Sequence, residues 1–144
     1  MFYAGTFLEI ILQSIFDCLI DSFIEHKVGL ADNFLNTSLA TNLKRNLSVL
    51  YEKDQLLAAG IGNDTLQAHD KRIRSDKIHW LDPKHEDVHE DNFFELMDEF
   101  VRYLNSSCYT GITGYEFHYA LYEKGSFYKR HLDQFRNNKN RAYT

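Results

Sequence analysis

The chain contains little proline, little cysteine and no excess of positive charge. Its 144 residues include one proline and no low-complexity tract or internal repeat, so no linker is visible and one domain is expected. The two cysteines, Cys18 and Cys108, form no CxxC motif, which argues against a disulfide framework and a cysteine zinc site and favours a reducing cytoplasm. Twenty-one acidic residues against sixteen basic residues give a net charge of -5. Because phosphate attraction then has no obvious source, we expect no nucleic-acid partner.

The apolar opening of the chain lacks the features of a signal peptide or a membrane span. It has no basic segment before its apolar run, and polar residues recur at every fourth position. These residues are Glu9, Gln13, Asp17 and Asp21. Three acidic side chains in a span of this length would be costly in a bilayer. The pattern instead predicts an amphipathic helix over residues 6–22 that packs on the body of the protein, with no membrane contact.

Two further helices are indicated by apolar spacing and by start signals. Four leucines at helical spacing predict a second helix, which Asp32 or Asn33 is expected to cap. These leucines are Leu39, Leu43, Leu47 and Leu50. Asp82 and Pro83 predict the start of a third helix that reaches Asn105. Its core-facing positions are expected to be Phe94, Met97, Val101 and Leu104.

The remaining segments are predicted to be strands. Residues 72–81, "RIRSDKIHWL", and residues 114–122, "GYEFHYALY", alternate in character, and "EKGS" is expected to turn the chain into a further strand, "FYKRHLD". Helices come first along the chain and strands follow. This order predicts an α+β fold with an antiparallel sheet.

The segment "HEDVH" matches the HExxH pattern of zinc peptidases. On one helix, His85 and His89 would lie a turn apart and could share a zinc ion, while Glu86 would act as a base on bound water. Val88 is the only apolar residue from Pro83 to Asn92, however, whereas a peptidase helix is buried under its cleft. We therefore favour a solvated acidic first turn of a helix and keep the zinc peptidase as an alternative.

His131 and Asp133 form a second candidate metal site. Side chains at positions i and i+2 of a strand project from the same face, so an imidazole and a carboxylate can bind one ion side by side. This arrangement is part of the facial triad of two histidines and one carboxylate. The spacing fits equally well a surface ion pair on an edge strand, and spacing alone leaves both interpretations open.

The residues around this pair resemble a known family. "LYEKGSFYKRHLDQF" is similar to the core motif of iron(II)/2-oxoglutarate dioxygenases of the prolyl 4-hydroxylase type, where a tyrosine, a polar turn with glycine, a second tyrosine and H-x-D follow one another. "RIRSDKIHWL" resembles the R-x-D strand with a tryptophan that lies upstream in that family. The resemblance covers most of residues 20–144. It implies N-terminal helices packed on an incomplete double-stranded β-helix, a jelly-roll-like sheet.

The resemblance also implies the site and its reaction. His131 and Asp133 would be the first two iron ligands, and Tyr122 would contact 2-oxoglutarate. The positions matched on the substrate side are Tyr128, Arg74, Asp76, Trp80 and Arg141. The family hydroxylates a C–H bond with iron(II), 2-oxoglutarate and oxygen, uses ascorbate as reductant, and acts on prolyl peptides or small molecules.

Each substrate-side position also has a purely structural interpretation. Arg74 and Asp76 could form an ion pair within the sheet, Trp80 could anchor the core, and Arg141 could be ordinary surface charge. Strand alternation, moreover, places Tyr128 on the face opposite to His131.

The sequence departs from the family after Asp133. The family has a second histidine well downstream, followed by an arginine or lysine that pairs with 2-oxoglutarate, whereas no histidine follows His131 here. We therefore expect the third ligand to lie outside these residues, so that residues 1–144 are the N-terminal portion of one dioxygenase domain, inactive alone. Residues 1–110 would supply the helices and lead-in strands, and residues 111–144 the start of the β-helix core. A non-catalytic remnant that binds a partner through its open sheet is the alternative.

Overall fold

The computed structural model describes residues 7–60, 72–131 and 133, and within them the fold is α+β. Three helices are present: α1 (Phe7–His26), α2 (Thr37–Glu52) and α3 (Val88–Cys108). Three short strands follow the order β1 (Leu57–Ala58), β2 (Lys77–Trp80) and β3 (His118–Leu121). None of the described helices has the length and hydrophobicity that crossing a membrane requires. The predicted α+β class is confirmed.

The described residues fall into two compact units. The first contains residues 7–49 and 81–117, and it holds α1, α3 and most of α2. The second contains residues 50–60, 72–80, 118–131 and 133, and it holds the sheet together with the residues of the candidate metal site.

The core of the first unit is aromatic. Phe16 of α1 is almost fully buried and lies against Phe34 and Phe100, with ring centroids 5.8 and 4.9 Å away. Tyr103 of α3 donates a hydrogen bond of 2.5 Å to Asp17 of α1, so the two helices are joined by a polar contact beside the apolar one. The predicted polar stripe of α1 is exposed, as expected for an amphipathic helix.

Two helix boundaries differ from the prediction for local reasons. α1 continues to His26 rather than ending at residue 22, and it stops where Lys27 adopts a left-handed backbone conformation with φ 63°. The predicted caps of α2, Asp32 and Asn33, do not cap it. Asn36 does so instead, because its side-chain oxygen accepts a 2.9 Å hydrogen bond from the backbone N–H of Leu39.

The start of the third helix also differs. Asp82 and Pro83 begin only one 3-10 turn, Pro83–His85, in which the Asp82 carboxylate accepts from the backbone N–H of Lys84 at 2.9 Å. Glu86 then adopts a left-handed conformation with φ 53°, which interrupts the helical path. The α-helix starts at Val88, after a new cap at Asp87.

The sheet is antiparallel with the order β1-β2-β3. In β2 and β3, Ile78 pairs with Ala120 and His79 pairs with Tyr119. The predicted strand at residues 72–81 is regular only from Lys77, and the strand expected after the "EKGS" turn is reduced to one bridging pair, Arg74 with Tyr128. This bridging pair places the segment that leads to His131 beside the sheet.

Candidate metal centre

His131 and Asp133 lie side by side just beyond the bridging pair. The backbone N–H of Lys129 donates to the carbonyl of Ile73 at 2.9 Å, which holds the preceding segment on the sheet. From there the Nε2 atom of His131 approaches Oδ1 of Asp133 to 2.7 Å. The two side chains are 36% and 27% exposed, so an ion from solvent can reach both. One imidazole and one carboxylate in contact form a donor pair that suits a divalent transition metal.

The backbone selects which nitrogen of His131 faces the carboxylate. The Nδ1 atom lies 2.8 Å from the carbonyl oxygen of Lys129, so Nδ1 carries the proton and donates it to that oxygen. Metal-binding histidines are commonly held in this way, with one ring nitrogen bound to a carbonyl and the other turned towards the ion. Here the second nitrogen, Nε2, is turned towards Asp133. The residues present therefore fit two ligands of a metal centre, as the resemblance implies.

Arg74 and Asp76 form a buried pair beneath this site. The guanidinium donates to both carboxylate oxygens of Asp76, at 2.9 and 2.6 Å, and also to the carbonyl of Gly60 at 3.2 Å. The Asp76 side chain is fully buried and that of Arg74 is 11% exposed. Burial opposes ionisation of Asp76, but the hydrogen bonds and charge of Arg74 outweigh it, and the pKa of the carboxyl is lowered.

Tyr128 connects this pair to His131. Its ring is stacked on the imidazole of His131, with centroids 3.7 Å apart and planes inclined by 17°. The guanidinium carbon of Arg74 lies 4.0 Å from the centroid of the same ring. Two groups this close cannot share one face of a ring, so the phenol is sandwiched between them. The opposite-face position that strand alternation predicts for Tyr128 is not observed; no regular strand continues from Tyr128 to His131, so alternation does not apply there.

The other predicted site residues are partly exposed. Tyr122 directly follows β3 in the second compact unit, and its side chain is about half exposed. Partial burial, and then the charge of Asp76, raise the pKa of its phenol, which therefore stays protonated and able to donate a hydrogen bond. The Trp80 ring packs edge-on against His118 at 4.8 Å. Arg141 lies outside the described residues.

A comparison with solved structures agrees with the sequence resemblance. The crystal structure of a prolyl-4-hydroxylase from Pseudomonas putida superposes with a TM-score of 0.73 and 28% identity, over 83% of this chain. The resemblance to prolyl 4-hydroxylase is confirmed. The chain spans 62% of the length of that protein. No protein-family model matches the sequence, and a search of curated proteins finds no match.

The helices and the small sheet are thus part of a prolyl 4-hydroxylase-like fold. The match covers more residues than either compact unit contains, so it extends over both. Within residues 7–60, 72–131 and 133, no three His, Cys, Asp or Glu side chains come together as a metal site.

The "HEDVH" segment does not have the geometry that a zinc peptidase needs. His85 ends the 3-10 turn, whereas His89 lies in the first turn of α3, so the two are not one turn apart on one helix. His85 instead lies 3.1 Å from the carboxylate of Glu90. Glu90 is only 4% exposed, so the expected solvated first turn is in fact partly buried. The zinc peptidase interpretation is not supported.

Sequence reasoning missed the backbone contributions to the candidate site. The carbonyls of Lys129 and Gly60 fix His131 and Arg74, respectively, yet neither residue type carries a signal for this role. Strand β1, which precedes Gly60, was also missed because it has only two residues. Gly60 itself was the one available hint, because a glycine beside a strand can mark a close backbone approach.

Proposed function

We propose that this chain carries part of the active site of an iron(II)- and 2-oxoglutarate-dependent hydroxylase of the prolyl 4-hydroxylase type. His131 and Asp133 supply two of its protein ligands. The two side chains lie side by side, with Nε2 of His131 2.7 Å from Asp133 and Nδ1 held by a backbone carbonyl, which suits two ligands of one ion as well as an ion pair. The similarity in sequence and structure to a prolyl-4-hydroxylase supports the same proposal.

Iron with 2-oxoglutarate and oxygen supplies the oxidising power for hydroxylating a C–H bond in such enzymes, with ascorbate as reductant. The chain's own residues bind and orient. The protonated phenol of Tyr122 is suited to donate a hydrogen bond to a carboxylate of 2-oxoglutarate. The resemblance assigns Arg74, Asp76 and Trp80 to the substrate side, and of these Arg74 lies against Tyr128, which contacts His131.

The proposal also covers the domain organisation, the substrate and the location of the protein. We assign residues 1–144 to part of one dioxygenase domain, to which they contribute two of the metal ligands. The substrate is a prolyl peptide or a small molecule with a reactive C–H bond. Cys18 and Cys108 are both free and exposed, which favours a reducing compartment such as the cytoplasm.

Anaerobic titration with iron(II), with and without 2-oxoglutarate, tests the proposal. We expect iron to bind the wild-type chain and to bind the His131→Ala/Asp133→Ala variant at least tenfold more weakly, because the variant lacks both donors. The matched control is His89→Ala/Asp91→Ala, which removes the same two residue types at the same spacing from α3 and should leave binding unchanged.

The outcome also separates the rival interpretations. Binding that 2-oxoglutarate strengthens would mean that the cosubstrate site is formed as well. The proposal is overturned if the His131→Ala/Asp133→Ala variant binds iron as well as the wild type, or if the wild type binds none. His131 and Asp133 would then be interpreted as a surface ion pair. A non-catalytic binding module would then be the better interpretation.

A further inference from the structure

We infer that Tyr128 is a positioning residue for the metal ligand His131, and that its ring, clamped by Arg74, fixes the plane of the imidazole. This inference rests on the proposed function, since it concerns a ligand of the same centre. In this inference the two faces of the Tyr128 ring carry the role. The substrate-side role that the resemblance implies would use the hydroxyl group instead, so chemistry can separate the two roles.

The first step is that His131 needs a positioning contact. Its side chain is 36% exposed and follows a segment that one bridging pair holds on the sheet. The carbonyl of Lys129 restrains the Nδ1 atom, but one hydrogen bond leaves the ring free to swing about that contact. The stacked phenol at 3.7 Å and 17° removes this freedom. Together the two contacts hold Nε2 beside Asp133.

The second step is that the phenol is itself fixed from its other face. Arg74 lies 4.0 Å from the ring centroid, and its guanidinium makes three hydrogen bonds, two to Asp76 and one to Gly60. The Asp76 side chain is fully buried and directly precedes β2, so the guanidinium is anchored beside that strand. A cation over the face of a tyrosine ring is attracted by the negative potential of that face. The stack therefore extends from the buried Asp76 to the partly exposed His131.

The third step is the size of the effect. Removing a group that holds a metal ligand in place lowers the metal affinity about 10- to 100-fold. Tyr128→Leu keeps an apolar side chain but lacks the flat face, so we expect iron(II) affinity to fall about tenfold or more. Tyr128→Phe keeps both faces and removes the hydroxyl, so its affinity should remain within about twofold of wild type. Phe127→Leu, at a neighbouring exposed ring outside the stack, is the matched control.

The experiment combines iron(II) titration with proton NMR of the metal-free chain. In the stack, the ring current of Tyr128 shifts the imidazole protons of His131 upfield, and these signals are assigned by their loss in His131→Ala. We expect the upfield shift in the wild type and in Tyr128→Phe, and its loss in Tyr128→Leu. The wild-type spectrum tests the stack even if Tyr128→Leu does not fold.

Three results would overturn the inference. These are a wild-type spectrum without the upfield shift, equal iron affinity in Tyr128→Leu and wild type, and equally weak binding in Tyr128→Phe and Tyr128→Leu. The last result would assign the role to the hydroxyl. If the wild type binds iron through His131 but the variants do not differ, only the inference fails. If the wild type shows no His131-dependent binding, the proposed function fails with it.

Discussion

Replacing Asp76 by asparagine is expected to destabilise the second compact unit by about 3 kcal/mol. The change removes a fully buried negative charge and leaves Arg74, which is 11% exposed, without its counter-ion. Loss of one partner from a buried pair costs about 3 to 5 kcal/mol. We take the lower figure because Arg74 keeps the Gly60 carbonyl at 3.2 Å and the ring of Tyr128.

Urea denaturation measures this loss directly. Trp80 is the only tryptophan and lies in β2, so its fluorescence reports on the unit that carries the pair. A loss of about 3 kcal/mol should lower the urea midpoint by about 1.5 M for a chain of this size. Lys77→Met breaks the solvent-exposed contact with Glu123 and should move the midpoint little. A shift for Asp76→Asn as small as that of this control would refute the reasoning.

The stability that Asp76→Asn loses should depend on pH. The folded pKa of Asp76 is lower than its ordinary value of 3.8, so the carboxylate contributes its full stabilisation above about that pH. This contribution disappears as the pH falls through the lowered folded pKa. The difference in midpoint between wild type and Asp76→Asn should therefore shrink in strong acid, and a difference that grows there would contradict the assignment of the pair.

Two further predictions concern the first unit. Burial, and then a hydrogen bond of 2.5 Å to Asp98, raise the pKa of Tyr115 to about 12, so the phenolate absorbance lost in Tyr115→Phe should titrate near that value. The stabilisation from this proton is complete below the ordinary pKa of 10.0 and is lost towards pH 12; a titration near 10 would contradict it. Asp87→Ala removes the cap of α3, where the carboxylate accepts two backbone N–H bonds of 2.9 and 3.0 Å. It should cost about 1 to 2 kcal/mol by urea denaturation followed by circular dichroism, and Asp87→Asn should cost less.

The sequence predicted the fold class, the three helical regions and the adjacency of the two candidate ligands. The i, i+2 spacing of His131 and Asp133 was enough to predict this adjacency, because the two side chains lie side by side even though no regular strand contains them. The element boundaries were less predictable, because they depend on single contacts such as the Asn36 cap and the left-handed Lys27. Apolar spacing carries no information about either contact.

The position of Tyr128 could not be predicted for a different reason. Alternation assumes a regular strand, and this segment keeps only one bridging pair before it turns towards Asp133. The zinc-binding pattern at residues 85–89 failed similarly, because HExxH presumes one continuous helix and Glu86 interrupts it. In both cases the backbone that the pattern assumes is not the backbone that forms.

The buried ion pair is hard to explain by stability alone. A buried Arg–Asp pair is often no better for stability than apolar side chains of similar volume, because both charges lose their hydration. Arg74→Met/Asp76→Leu should therefore recover most of the stability that Asp76→Asn loses. It would also remove the cation from the face of Tyr128 and loosen the stack on His131. A double variant with near wild-type stability and weaker iron binding would show that the pair serves the site, whereas unchanged iron binding would leave it a structural feature of the sheet.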